Sequence, residues 1–142
     1  MNRIYIDTSA WIAMITGESS GVKVKNKFEQ MTNSELCLSD WVVTEFASAL
    51  SLKRRRLELS DADMDRNYQS FEAIAATLIN LPMTSVDYLK AASLCREFAS
   101  NLRASDALHL AVALRHKCKT MLSLDAVLNA QAVRHGLRII DL

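Results

Sequence analysis

Apolar residues along the chain fall into two rhythms: short unbroken runs, and longer stretches in which they recur every three or four positions. Residues 3–7, Arg-Ile-Tyr-Ile-Asp, read as a short buried strand. A helix over about 9–15 follows, broken by Thr16-Gly17-Glu18-Ser19-Ser20-Gly21. Val24, Phe28 and Met31 mark a second helix over about 22–31, and Leu36-Cys37-Leu38 a second strand. Helical spacing then runs from Trp41 to Arg56, where the terminal basic residues complement the helix dipole. Ser60 is the expected N-cap of a long helix reaching about residue 79, with Asp61 and Asp63 in its first turn.

Leu81-Pro82-Met83-Thr84 is a weak third strand, and Ser85 is expected to cap a helix over about 86–99. The helix beginning near Ser105 is almost wholly apolar and should be the most buried. Residues 120–123 form the fourth strand, 125–135 a helix stopped by Gly136, and 138–140 the fifth strand. Strands alternating with helices imply one α/β domain over residues 1–142, with a parallel sheet covered on both faces. Ligands of such sheets bind beyond the carboxyl ends of the strands, at a topological switch point.

Composition changes this picture little. Half the residues are hydrophobic and the net charge is +1, so no global field marks a nucleic-acid binder, although local basic patches can hide in a balanced total. Cys37, Cys95 and Cys118 are odd in number and lack metal-finger spacing, which suits a reducing compartment. No secretory signal and no bilayer-spanning segment is evident, so the expected location is the cytoplasm, with no membrane partner.

Four acids are out of place. Asp7 closes the run Ile4-Tyr5-Ile6, and Asp125 follows Met121-Leu122-Ser123-Leu124. Asp106 opens the apolar helix, in which His109 is the one other polar residue up to Leu114. Glu45 shares a helical stripe with Trp41, Val42, Ala49 and Leu52. Isolated carboxylates are costly to bury, so several together call for protons, basic partners or a metal ion. A hard divalent cation answers all four at once, and no clustered His or Cys set points to zinc.

Each acid also has a plainer explanation. Asp7, Asp106 and Asp125 lie near helix starts and can act as N-caps, and Glu45 can form a buried ion pair with an arginine. Four such coincidences are less economical than one metal site. His109 is better read as a hydrogen-bonded core residue than as a substrate contact, and Trp11 and Trp41 as core packing rather than base-stacking platforms. His116 and His135 fall near helix C-termini, and Lys23, Lys25 and Lys27 face solvent. Lys53, Arg54, Arg55 and Arg56 suit either an RNA backbone or a solvated helix end; Arg103, just before Asp106, is a further RNA-binding candidate.

Asp7-Thr8-Ser9-Ala10, Thr44-Glu45-Phe46, Ser105-Asp106-Ala107-Leu108-His109 and Ser123-Leu124-Asp125, in that order, resemble the four acidic motifs of PIN-domain ribonucleases, most closely the VapC-type toxins of toxin–antitoxin pairs. Ser123 stands where many members carry threonine, and Arg103 lies before the third motif where some carry an extra acid. The resemblance covers nearly the whole chain. It implies a three-layer α/β/α fold with about seven helices and sheet order 3-2-1-4-5. It also implies an endoribonuclease dependent on Mg2+ or Mn2+, a homodimer, and a VapB-like antitoxin laid across the acidic cleft near the Trp11 and Phe28 segments.

On this reading Asp7, Glu45, Asp106 and Asp125 are both catalytic and metal-holding. Asp7 is a ligand shared or nearly shared between ions, Asp106 and Asp125 bind directly or through water, and Glu45 orients waters or a second ion. Thr8, Ser9 and Ser123 support these carboxylates or the scissile phosphate by hydrogen bonds. Two other classes compete: a non-catalytic RNA- or protein-binding module on the same fold, and a phosphoryl-transfer receiver. The receiver calls for a lysine after the fifth strand, where Asp141 and Leu142 stand instead.

Overall fold

Ile4, Tyr5 and Ile6 are all buried in β1 (Arg3–Ile6), the middle strand of a five-stranded parallel sheet. A strand covered on both faces needs an unbroken apolar run, and β1 has one. The computed structural model describes residues 2–142. β1 pairs with β2 (Glu35–Ser39) on one side and β4 (Thr120–Leu122) on the other. β3 (Ile79–Leu81) and β5 (Arg138–Ile139) complete the edges, giving the order β3-β2-β1-β4-β5. The chain thus steps outward from β1 in one direction, returns, and steps outward in the other, which puts the switch point between β1 and β4.

Seven α-helices occur among the described residues: α1 (Thr8–Thr16), α2 (Gly21–Gln30), α3 (Asp40–Arg55), α4 (Asp61–Ala75), α5 (Ser85–Arg96), α6 (Ala104–Arg115) and α7 (Ala126–Arg134). Right-handed crossovers to β2 and β3 place α1–α4 on one face, and the return to β4 and β5 places α5–α7 on the other. The α/β/α layering and strand order match expectation.

An aromatic cluster joins the helices of the first face. Phe46 stacks on Phe71 at 4.1 Å between ring centroids, and Trp11 meets Phe71 edge-on at 5.1 Å. Trp11 is fully buried, so its packing role holds; Trp41 is only partly buried against the core. On the other face, residues 107–113 of α6 are all buried, as its apolar sequence predicts. Gly21 allows α1 and α2 to meet: a Cβ there would lie 2.1 Å from the Ala13 carbonyl oxygen. Gly136, at φ +91°, ends the α7 segment as expected.

The third strand and its flanks depart from the sequence reading. α4 stops at Ala75, not near 79, and β3 occupies 79–81 rather than 81–84. Leu78 continues the helical spacing of Phe71, Ile74 and Ala75, so periodicity runs straight through the boundary. β3 is an edge strand with only Leu81 buried, and it lacks a continuous apolar signature. α5 is capped at Thr84 rather than Ser85, with the Thr84 amide donating to the Asp87 carboxylate at 2.9 Å. It ends at Arg96, and residues 98–100 form a separate 3-10 turn.

Candidate active site

Parallel pairing brings the carboxyl ends of β1 and β4 level, with Ile6 opposite Leu122. The next residues on each strand therefore meet. Asp7, only 2% exposed, follows β1; Ser123 follows β4. Ser123 Oγ donates to Asp7 Oδ2 at 2.6 Å and accepts the Asp125 amide at 2.9 Å. Ser9 Oγ donates to Asp7 Oδ1 at 2.7 Å and accepts the Leu124 amide at 2.9 Å. These hydroxyls tie the first and fourth acidic segments together.

The N-capping explanation is correct for two of the acids. Asp7 Oδ1 accepts the Ala10 amide at the start of α1, and Asp125 Oδ1 accepts the Leu128 amide at the start of α7. Each cap leaves carboxylate capacity for another partner, so capping and ion binding are compatible. Asp106 is no cap: it lies in the first turn of α6, whose N-cap position is held by Arg103. Glu45 pairs with no arginine among the described residues. Its Oε1 instead accepts Thr8 Oγ1 at 2.7 Å and meets His109 Nε2.

All four acids line one open cavity of about 550 Å3, together with Thr8, Ser9, Glu18, Ser48 and His109. Among the described residues, no lysine or arginine lines it. Burial pushes the Asp7 carboxyl up, and its hydroxyl bonds offset only part of that shift. Burial, then repulsion from Asp125, Asp7 and Glu45, pushes Asp106 up to about 6. Glu45 goes the other way: burial raises it, but hydrogen bonds from His109 and Thr8 bring it below its ordinary value.

No group of three His, Cys, Asp or Glu side chains among the described residues already stands in a metal-holding arrangement. Mutually repelling carboxylates spread apart, and a hard divalent ion retains waters that bridge wider spacings. The donor set, all carboxylate and hydroxyl oxygen with Asp106 held up by burial and by its acidic neighbours, fits such an ion.

None of the basic candidates lines the cavity. Lys53 is tied to its rim, because Glu18, which does line it, holds Lys53 at 3.0 Å. Arg54 pairs with Asp61 at 2.7 Å, Arg55 donates to Ser51, and Arg56 and Arg103 are exposed. Glu18 and Ser48 were missed from sequence. Ser48 lies three residues beyond Glu45 on α3, so helical spacing offered a signal; Glu18 sits in the break after α1, where spacing offers none.

A family model for the PIN domain matches residues 4–134. No curated protein matches the chain. Among solved structures, a Mycobacterium tuberculosis toxin described as sarcin-ricin-loop-cleaving, VapC20, is similar at TM-score 0.71 and 20% identity, over 90% of this chain and 94% of that one. VapBC2 of Rickettsia felis, bound to a promoter DNA fragment, is similar at TM-score 0.71 and 12% identity, over 99% and 98%. FitAcB of Neisseria gonorrhoeae is similar at TM-score 0.69 and 17% identity, over 97% and 96%.

Proposed function

Because the chain belongs to the PIN domain family, we propose that it is a metal-dependent endoribonuclease that hydrolyses RNA phosphodiester bonds and acts as the toxin of a toxin–antitoxin pair. The carrying observation is that Asp7, Glu45, Asp106 and Asp125 come from four segments to one cavity that, among the described residues, no lysine or arginine lines. Asp7, Asp106 and Asp125 would hold Mg2+ or Mn2+, directly or through water, with Glu45 orienting the water between them. Such an ion, when bound, supplies an acidified water and neutralises charge on the phosphate oxygens. Ser9, Ser123 and Thr8 keep the carboxylates of Asp7 and Glu45 turned in fixed directions, so little rotational freedom is lost on binding.

The toxin role draws support from the VapC and VapBC proteins with the same fold. In the proposed antitoxin dock the Trp11 side chain itself is fully buried, and its helix α1 contributes Met14 and Ile15 instead. Phe28, with Met14, Ile15 and Ile74, lines a groove between α1, α2 and α4, with Lys25, Glu29 and Ser70 at its edges, that suits a partly apolar antitoxin segment. Val86, Tyr88 and Leu89 on α5 are more than half exposed and support the homodimer. No helix among the described residues is long and apolar enough to cross a membrane. The three free cysteines accord with a cytoplasmic location.

The test is cleavage of labelled structured RNA by antitoxin-free protein with Mg2+ or Mn2+, controlled by chelator and by Asp7→Asn. Cutting that needs metal and is lost in the variant supports the nuclease. Folded protein that binds metal yet cuts none of a broad RNA panel would favour the binding module.

A further inference from the structure

His109 is a titratable side chain in the cavity wall that the proposed chemistry leaves without a task, and its surroundings give it one. It is 2% exposed, and both ring nitrogens are engaged. Nδ1 lies 2.7 Å from the Tyr5 hydroxyl, which lies 2.7 Å from Ser39 Oγ; Tyr5 and Ser39 are fully buried. Nε2 meets Glu45 Oε1 and lies 3.3 Å from Thr8 Oγ1. Five elements, β2, β1, α6, α3 and α1, thus contribute one residue each to a continuous polar chain ending at the cavity.

Counting hydrogens gives this chain a direction. Thr8 donates its one hydroxyl hydrogen to Glu45 Oε1, so Oε1 is an acceptor and His109 Nε2 must be the donor. With Nε2 carrying hydrogen, a neutral ring accepts at Nδ1; Tyr5 donates there, and Ser39 donates to Tyr5. The reverse direction would make Ser39 the final acceptor and leave its own hydroxyl hydrogen without a partner among the described residues. An unpaired donor at a fully buried site is unfavourable, so Ser39 to Tyr5 to His109 to Glu45 is the arrangement that satisfies every group.

We propose that His109 is a positioning residue: locked by Tyr5 as the Nε2–H tautomer, it pins Oε1 of Glu45 to the protein and leaves Oε2 facing the cavity. Oε2 has no hydrogen-bond partner among the described residues. The role assigned to Glu45 rests on the nuclease reading; the tautomer and the hydrogen-bond direction do not.

The experiment has two arms. Nitrogen-15 NMR of His109 in the metal-free protein should show hydrogen on Nε2, and Tyr5→Phe, which removes only the hydroxyl, should convert it to a mixture. A ring protonated on Nδ1, or a spectrum indifferent to Tyr5→Phe, overturns the direction. The second arm compares His109→Gln, whose amide nitrogen can reach the place of Nε2, with His109→Asn, which mimics Nδ1 only. His109→Gln should keep Mn2+ affinity, read by paramagnetic resonance, close to wild type; His109→Asn should lose about ten- to hundredfold. The same ranking is expected in kcat for RNA cleavage, with KM unchanged. Equal behaviour of the two variants, or Asn the better, would mean that His109 only fills space beside Tyr5. Failure of wild type to cut RNA would overturn the nuclease reading alone, because the tautomer and Mn2+ measurements still decide the relay.

Discussion

Ser123 Oγ stands 2.6 Å from Asp7 Oδ2, bridging the ends of two adjacent strands, and the same oxygen accepts the amide of Asp125. One hydroxyl therefore sets the spacing of two acids. Ser123→Ala should leave the melting temperature within a few degrees and lower RNA cleavage about tenfold or more, whereas Ser123→Thr should retain it. Steady-state cleavage on matched melts checks both; an alanine variant at full rate would remove Ser123 from the site.

Asp7→Asn should abolish detectable cleavage and leave the fold intact. Burial already holds the Asp7 carboxyl above its ordinary range, so a neutral isostere relieves the cost of desolvating a charge there. Asparagine also remains a good N-cap for α1. In chelator the variant should melt about 2–4 °C above wild type, the shift expected per kcal/mol at this size. Calorimetry with and without Mg2+ measures it, and retained activity would sink the assigned role.

The pH dependence of the metal-free protein has a defined sign at Asp106. Its folded value is raised from 3.8 to about 6, so the folded state binds more protons between those values. Stability from this group is full at low pH and declines as pH rises through that window. Asp106→Asn should therefore be more stable than wild type at pH 7 by about 1–2 kcal/mol, allowing for partial exposure, with the difference gone near pH 4. Urea melts in chelator at both pH values test this. Saturating Mg2+ should narrow the gap at pH 7 by stabilising wild type.

Arg115 grips the buried Asp87 through two bonds, Nε to Oδ1 at 2.6 Å and Nη2 to Oδ2 at 2.8 Å, joining α6 to α5. Burial pushes Asp87 up, but this grip and the Thr84 amide bring it below the ordinary carboxylate range. Its stabilisation is present above the unfolded value and is lost as pH falls through the folded one. Arg115→Ala, which strands the carboxylate, should cost about 2–3 kcal/mol. Acid unfolding should also begin at higher pH. Denaturant melts across pH 2–7 provide the check.

If α5 is the dimer face, Leu89→Glu places a charge on a residue that is 72% exposed in the single chain, with little effect on its folding. Sedimentation equilibrium should give two chains for wild type and one for the variant. A monomeric wild type would discard the homodimer.

Much of the architecture was legible because parallel sheets demand long apolar runs and capped helices, and Ile4-Tyr5-Ile6 and residues 107–114 supply them. The α4–β3 boundary was not, because Leu78 and Ile79 satisfy helix and strand spacing equally and the edge strand buries little. At the site, the four acids were visible as charges in apolar surroundings. The cost of burying four carboxylates argued for one shared site, and the family resemblance added the strand order that sets the first and fourth strands side by side. Two relations were beyond sequence: Glu18 reaches the cavity through a turn, and Tyr5, apparently a core aromatic, orients His109 from another layer.

Asp7 and Asp125 each hold the first turn of a helix as well as facing the cavity. That double duty restricts how a descendant of this chain can lose its activity. Drift to alanine at either position would fray a helix and lower stability by about 1 kcal/mol, whereas asparagine or serine would keep the turn. Inactive lineages that persist should therefore be enriched in Asn and Ser at these two sites, a signature of retained shape after abandoned chemistry.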